Sequence, residues 1–282
     1  VTDYLRPRTL DEGLRLAAGG RLVPAAGCTD LFPATQAPAL SGPILDLTGI
    51  EALRGIARID GGWRIGALTT WSEVVRAPLP PAFDGLKAAA REVGSVQIQN
   101  AGTVGGNLCN ASPAADGVPC LMTLDAEVEL ASIRGTRILP LAEFLAGPRR
   151  TVRAPDEILT AVIVPSAASA GQGAFVKLGA RRFLVISIAM VAARVEAEEG
   201  RVARAAVAVG ACSAVAVRLP ALEAALAGTP VAEAAARVAP DLVTPALSPI
   251  SDVRADAAYR TEAAAELVRR ALDRALPRQE AA

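Results

Sequence analysis

The chain has 282 residues, enough for one large or two moderate cores, and 52% of them are hydrophobic against 21% charged, a globular rather than a disordered composition. Its 29 basic and 29 acidic residues balance without a long block of one sign, so no electrostatic footprint for nucleic acid is present. Histidine is absent, which excludes Ser-His-Asp and Cys-His catalysis, a His-ligated metal and a cofactor attached through histidine; the chemistry has to come from a bound cofactor.

Tyr4 and Leu5 start a short strand, and Thr9 with Glu12 three residues on predicts a capped helix stopped at Gly19-Gly20. A strand from Leu22 then enters a small-residue loop, Pro24-Ala25-Ala26-Gly27-Cys28-Thr29-Asp30-Leu31, with a helix start expected at Thr29 or Asp30. Free N–H groups at such a start suit a phosphate, although a strand-to-helix turn without ligand fits the same residues. Pro38, Gly42 and Pro43 mark a connection to a strand at residues 44–47, and Asp60-Gly61 predicts a hairpin over 56–67. Thr70 and Glu73 form a second capping pair, and a further helix is expected over 83–93, ending at Gly94.

Residues 91–119, REVGSVQIQNAGTVGGNLCNASPAADGVP, hold the most distinctive pattern. Gly102, Gly105 and Gly106 crowd around Thr103, Val104 and Asn107, which predicts a loop free to take φ > 0 and to bring N–H groups onto an anion. A tight turn with no ligand is the alternative. Beyond it, a hairpin around Arg134-Gly135 and a strand over 159–164 are expected, then a low-complexity linker at 166–173 that sets the domain boundary. Strands at 186–195 and 202–209 should pair across Glu199-Gly200, followed by helices at 219–227, 231–238 and 259–276, the last with Leu267, Ala271, Leu272 and Ala275 on one face.

The apolar runs 183–193 and 205–217 fall short of the roughly 20 residues that span a bilayer and read as buried strands. Cys28, Cys109, Cys120 and Cys212 lack C-x-x-C spacing, so they read as small hydrophobes and no iron–sulfur cluster is expected on this chain. No export signal opens the sequence, and a cytoplasmic location is expected.

The run from Gln97 to Asn107, followed by Ala111-Ser112-Pro113 and Asp116, resembles the second flavin loop of the FAD-binding medium subunits of molybdenum hydroxylases, the carbon monoxide and xanthine dehydrogenase flavoproteins among them. Ala26-Gly27-Cys28-Thr29-Asp30-Leu31 resembles the family's first loop, Ala-Gly-Gly-Thr-Asp-Leu, with Cys28 in place of the second glycine. Lys177 to Arg182 resembles its Lys-x-x-x-Arg-Arg segment, and residues 250–254 with Tyr259-Arg260 its C-terminal signature. The resemblance covers nearly the whole chain.

It implies an α+β architecture: a PCMH-type FAD-binding domain at 1–170, built of two α/β subdomains at about 1–55 and 56–170, and a C-terminal domain at 171–282 of a small antiparallel sheet on helices. It implies FAD held by Pro24, Ala25, Ala26, Gly27, Cys28, Thr29, Asp30, Leu31, Val93, Ala101, Thr103, Val104, Gly105, Gly106, Asn107, Cys109, Asn110, Ser112, Asp116, Leu159 and Lys177, with no catalytic side chain. Leu159 would lie against the isoalloxazine ring. Lys177 would favour the negative charge that reduction places at the N1/O2 edge, or would belong to an ordinary solvated basic face. Val185 stands where some relatives carry an acid. The implied partners are a large molybdopterin-binding subunit and a small subunit with two [2Fe–2S] clusters, in a heterotrimer or its dimer. The implied function is electron transfer from those clusters through FAD to an external acceptor. A free-standing FAD oxidoreductase and a scaffolding subunit without flavin are the other readings.

Overall fold

A computed structural model describes residues 3–36, 40 and 42–276; the predicted connection at Pro38 lies outside them. The first layer is a parallel sheet of β1 (Tyr4–Leu5), β3 (Ile44–Asp46) and β2 (Val23–Ala25), with α1 (Leu10–Ala18) as the crossover. Thr9 Oγ1 accepts from the Glu12 N–H at the start of α1, while the Glu12 carboxylate takes the Arg8 N–H rather than that of Thr9.

A five-stranded antiparallel sheet follows, in the order β4 (Ile56–Ile59), β5 (Gly62–Gly66), β10 (Ile158–Pro165), β6 (Glu127–Ser132), β7 (Gly135–Pro140). Its two hairpins turn where the Asp-Gly and Arg-Gly pairs predict, because Gly61 and Gly135 adopt positive φ there. Between β5 and β6 run α2 (Trp71–Arg76), α3 (Asp84–Glu92), α4 (Val96–Ala101), α5 (Val104–Asn110) and α6 (Gly117–Thr123). Thr70 and Glu73 make both bonds of the capping box that opens α2. After β7 come α7 (Leu141–Phe144) and a small hairpin of β8 (Leu145–Gly147) and β9 (Arg150–Thr151).

The third sheet, antiparallel, runs β11 (Gln172–Leu178), β12 (Ala189–Glu198), β13 (Arg201–Gly210), β14 (Val217–Arg218). One face meets α8 (Pro220–Leu226) and α11 (Ala257–Ala275), with α9 (Val231–Ala234) and α10 (Pro240–Val243) between them in sequence. The other face meets α3 and α6, and Phe175 of β11 with Met190 and Ala192 of β12 shares one continuous core with buried residues of α3 and α6. Covering on both faces explains why residues 189–193, the first half of β12, are apolar without alternation. Two arginines fasten this contact at the C-terminal end of α6. Arg194 Nε donates to the Thr123 carbonyl at 2.8 Å and Arg218 to the Met122 carbonyl at 2.8 Å, cations placed where the helix dipole favours them.

Three expectations are corrected. The helix start at Thr29 or Asp30 is instead a series of turns over 29–34, closed by Phe32 N–H to Cys28 O and Ala34 N–H to Asp30 O. The run 183–193 is not one strand: β12 begins at Ala189, and Phe183, Leu184 and Ile186 are exposed in the preceding loop. Likewise 205–217 is broken, since Ala211 turns through φ 62° after β13. The four cysteines are unpaired; Cys120 and Cys212 are buried, but Cys28 is half-buried and Cys109 exposed.

Candidate functional site

The loop leaving β2 runs straight into the central stretch. A Cβ added at Gly27 would sit 1.8 Å from the Ala101 carbonyl oxygen and 3.0 Å from Gly102 Cα, so the two segments touch backbone to backbone and only glycine fits. Both open into one cleft of about 1230 Å³, larger than the roughly 300–1000 Å³ of most small-molecule sites and roomy enough for a dinucleotide.

The two segments offer different things. From residue 26 to residue 31 no backbone N–H donates to any acceptor among the described residues, which leaves a run of unspent donors at the cleft wall. Cys28 sits at its middle in the left-handed region, φ 57°, a conformation that costs a side-chain-bearing residue about 1–2 kcal/mol. Burial, and then the Asp46 carboxylate, push its thiol pKa up.

The glycine-rich stretch departs from its expected form. Gly105 and Gly106 are not in a φ > 0 loop but in the first turn of α5, with Thr103 as N-cap accepting from Gly106 N–H at 3.1 Å. The N–H groups of Val104, Gly105 and Asn107 donate to the carbonyls of Thr69, Ala67 and Thr103 at 2.9, 2.8 and 3.0 Å. This half is therefore not a second cradle of free amides. Gly105 is needed because a Cβ there would lie 2.7 Å from Ala67 Cβ, and at Gly106 only the Thr103 hydroxyl lies within 4 Å of one, on the cleft side. Thr103 N–H has no acceptor among the described residues, and Asn107 Oδ1 is buried without a hydrogen-bond partner. An orphaned buried carbonyl beside unspent amides fits a large polar ligand.

Of the residues expected to hold the cofactor, all line the cleft except Ala25, Ala101 and Val104. Ala25 and Val104 face the core, and Ala101 contributes its carbonyl to the Gly27 contact. Asp116 and Lys177 are the second departure. Lys177 Nζ donates to Asp116 Oδ2 at 2.6 Å and Ser187 Oγ to Asp116 Oδ1 at 2.6 Å, with both members of the ion pair 8% exposed. Lys177 thus belongs to no solvated face, and each Asp116 oxygen already has a donor from the protein. Burial pushes the Asp116 carboxyl up, against the pull of Lys177 and the Ser187 hydrogen bond.

Sequence reasoning missed Ser187 and the arginines in and just after the β8–β9 hairpin. Arg149 donates to the Asn110 side chain, and Arg153 donates to the Glu157 carbonyl at 2.6 Å; both line the cleft. Glu157, buried at the far wall, takes a bidentate pair from Arg137 at 2.7 and 2.9 Å and the Ala154 N–H at 2.7 Å; the Arg137 bonds hold its carboxyl below the usual range against burial. Only the Arg149–Arg150–Arg153 spacing was visible in the sequence, and it carries no motif.

Comparison with known proteins accords with this geometry. Residues 1–167 match the family model of the FAD binding domain in molybdopterin dehydrogenase, and residues 174–275 that of the CO dehydrogenase flavoprotein C-terminal domain. The chain is 37% identical over 194 residues to the nicotinate dehydrogenase FAD-subunit of Eubacterium barkeri, a match spanning 66% of each chain, just under two thirds. It is 30% identical to the nicotine 6-hydroxylase medium subunit of Paenarthrobacter nicotinovorans, over 93% of this chain and 89% of that one. Among solved structures, a reconstituted CO dehydrogenase from Oligotropha carboxidovorans superposes with a TM-score of 0.90 at 27% identity, covering 98% of this chain and 97% of its counterpart.

Proposed function

The chain belongs to the FAD-binding medium subunits of the molybdenum hydroxylases, oxidoreductase subunits, and from that premise we propose that it relays electrons from [2Fe–2S] clusters on a small partner subunit to an external acceptor. Molybdenum would sit on a large third subunit, in a heterotrimer or its dimer within the cytoplasm. No helix among the described residues is long and apolar enough to cross a membrane. The chain would divide near 166–173 into the cofactor domain and the C-terminal domain.

The single observation that carries the reading is the direct contact of the 26–31 loop with residues 101–106 around one cleft, its amides unspent on the loop side. When bound, FAD supplies the ability to accept and release electrons singly or in pairs. The 26–31 amides and Thr103 N–H would hold its diphosphate, each charge-assisted bond contributing about 1.5–3 kcal/mol. Asn107 would give its orphaned oxygen a partner, and Leu159 would pack on the ring system. The Asp116–Lys177 pair would set the charge of that wall. The scaffold reading leaves the unspent amides of the 26–31 loop and the buried, unpartnered Asn107 Oδ1 without a role. Purification of the chain tests this: a visible flavin spectrum with one FAD per chain is expected, and a colourless protein that takes up no added FAD would overturn it.

A further inference from the structure

Arg260 lies in the first turn of α11 and is 3% exposed, yet its guanidinium reaches three acceptors on other segments. Nη1 donates to the Ile188 carbonyl and, at 3.1 Å, to the Ala211 carbonyl, while Nη2 donates to Asp252 Oδ1 at 2.7 Å. Each carbonyl leads to the wall of the main cleft. Ile188 follows Ser187, whose hydroxyl donates to Asp116 Oδ1 at 2.6 Å, and the Ile188 N–H donates at 2.8 Å to the carbonyl of Leu178, next to Lys177. The Ala211 N–H donates to the Pro113 carbonyl at 3.0 Å, in the turn that leads to Asp116 and is closed by Ala115 N–H to Ser112 O at 3.1 Å. One nitrogen of Arg260 therefore grips the segments on both sides of the Ser187–Asp116 hydrogen bond. The loop before Ser187 gives no such hold, since Phe183, Leu184 and Ile186 are exposed.

We propose that Arg260 is a positioning residue for the flavin site: it holds Ser187 and the 112–116 turn in register, so that the Ser187 hydroxyl bonds one Asp116 oxygen while Lys177 takes the other. The inference rests on the FAD reading of the main cleft. A guanidinium suits this task better than an ammonium, because its planar fork sends several donors in fixed directions. Stability alone does not account for it. Burying a cation is costly, and Arg260 Nε is also buried without a hydrogen-bond partner, a penalty that a well-packed apolar residue would avoid. Without the Ser187 donor the ionised Asp116 carboxyl loses one of the bonds that favour it, and it takes up a proton at higher pH. Lys177 on β11, Glu92 on α3 and the Cys120 thiol on α6 are the titratable groups that act on Asp116 among the described residues, and altering Ser187 or Arg260 changes none of them.

The test is redox titration of the FAD-loaded full chain as a function of pH. Flavin content read from the visible spectrum beforehand keeps a failure of the FAD reading separate from a failure of this one. Protonation of Asp116 leaves the Lys177 charge uncompensated and raises the flavin potential, which puts a step in the potential–pH profile. In Ser187→Ala that step should move to higher pH by about one to two units, the loss of one charge-assisted hydrogen bond. Arg260→Lys, which keeps the charge and loses the fork, should move it in the same direction, and Ser187→Ala/Arg260→Lys no further than Ser187→Ala alone. Should Arg260→Lys not fold, Asp252→Asn loosens the same fork from its other nitrogen and should move the step the same way. A wild-type profile without the step, an unmoved step in Ser187→Ala, a lower melting temperature with an unmoved step in Arg260→Lys or Asp252→Asn, or additive shifts in the double variant would each overturn the proposal.

Discussion

Replacing Gly27 with alanine adds one methyl group at the point where the two halves of the site meet. The new Cβ would stand 1.8 Å from the Ala101 carbonyl oxygen, 2.6 Å from its carbon and 3.0 Å from Gly102 Cα. Overpacking of a flexible side chain costs about 1–3 kcal/mol. Here every atom struck is backbone, so no rotamer change relieves it and the cost should reach the upper end of that range. For a chain of this length about 3 kcal/mol corresponds to a fall in Tm of roughly 6–12 °C. The alternative to a full clash is separation of the loops, which carries the 26–31 amides away from Thr103 and Asn107. Loss of two charge-assisted bonds at about 1.5–3 kcal/mol each would weaken FAD binding by about 10² to 10⁴-fold. Gly20→Ala is the control, since nothing lies within 4 Å of its added Cβ and its φ is not positive. Thermal melts and FAD titration of both variants are the assay. Wild-type melting and FAD affinity in Gly27→Ala would refute the reasoning.

Cys28→Gly should raise stability by about 0.5–1 kcal/mol, because it removes the cost of a left-handed cysteine at φ 57° less the extra entropy of glycine in the unfolded chain; an unchanged urea midpoint would count against that strain. Lys177→Met and Asp116→Asn should each destabilise by about 3–5 kcal/mol, each leaving a buried partner unpaired, while the double variant recovers most of the loss; strictly additive effects in the cycle would deny the pair. In the loaded protein Asp116→Asn should raise the flavin potential and Lys177→Met lower it, and shifts of one sign would contradict that assignment. Glu157 has its folded pKa lowered, so its contribution is fully present above about pH 4.3 and lost as pH falls through the lower folded value. Glu157→Gln should therefore cost about 1–2 kcal/mol at neutral pH, the half-exposed Arg137 keeping it modest, and the gap to wild type should close in acid; a constant gap down to pH 3 would exclude the linkage.

Local chemistry made much of the fold legible. Asp60-Gly61, Arg134-Gly135 and Glu199-Gly200 need only their own positive φ to turn, and all three turn. Thr70 and Glu73 cap α2 through contacts three residues apart. Gly105 and Gly106 misled, because paired glycines disfavour helix intrinsically; α5 forms there through Thr103 capping and the close approach of Ala67, 38 residues upstream of Gly105. The exposed loop before β12 was hidden for the opposite reason, apolar residues at 183–186 being indistinguishable by pattern from the buried strand they precede. The partnership of Lys177 with Asp116 joins residues 61 apart, and that of Ser187 with Asp116 residues 71 apart, which no periodicity records.

Hydrogen exchange at single-residue resolution, on the flavin-free and FAD-loaded chain, tests the central claim most directly. The amides of residues 26–31 should exchange freely without FAD and gain protection with it, while those of Val104, Gly105 and Asn107, already bonded within the protein, stay protected in both. FAD binding that leaves the 26–31 amides as exposed as before would contradict the account.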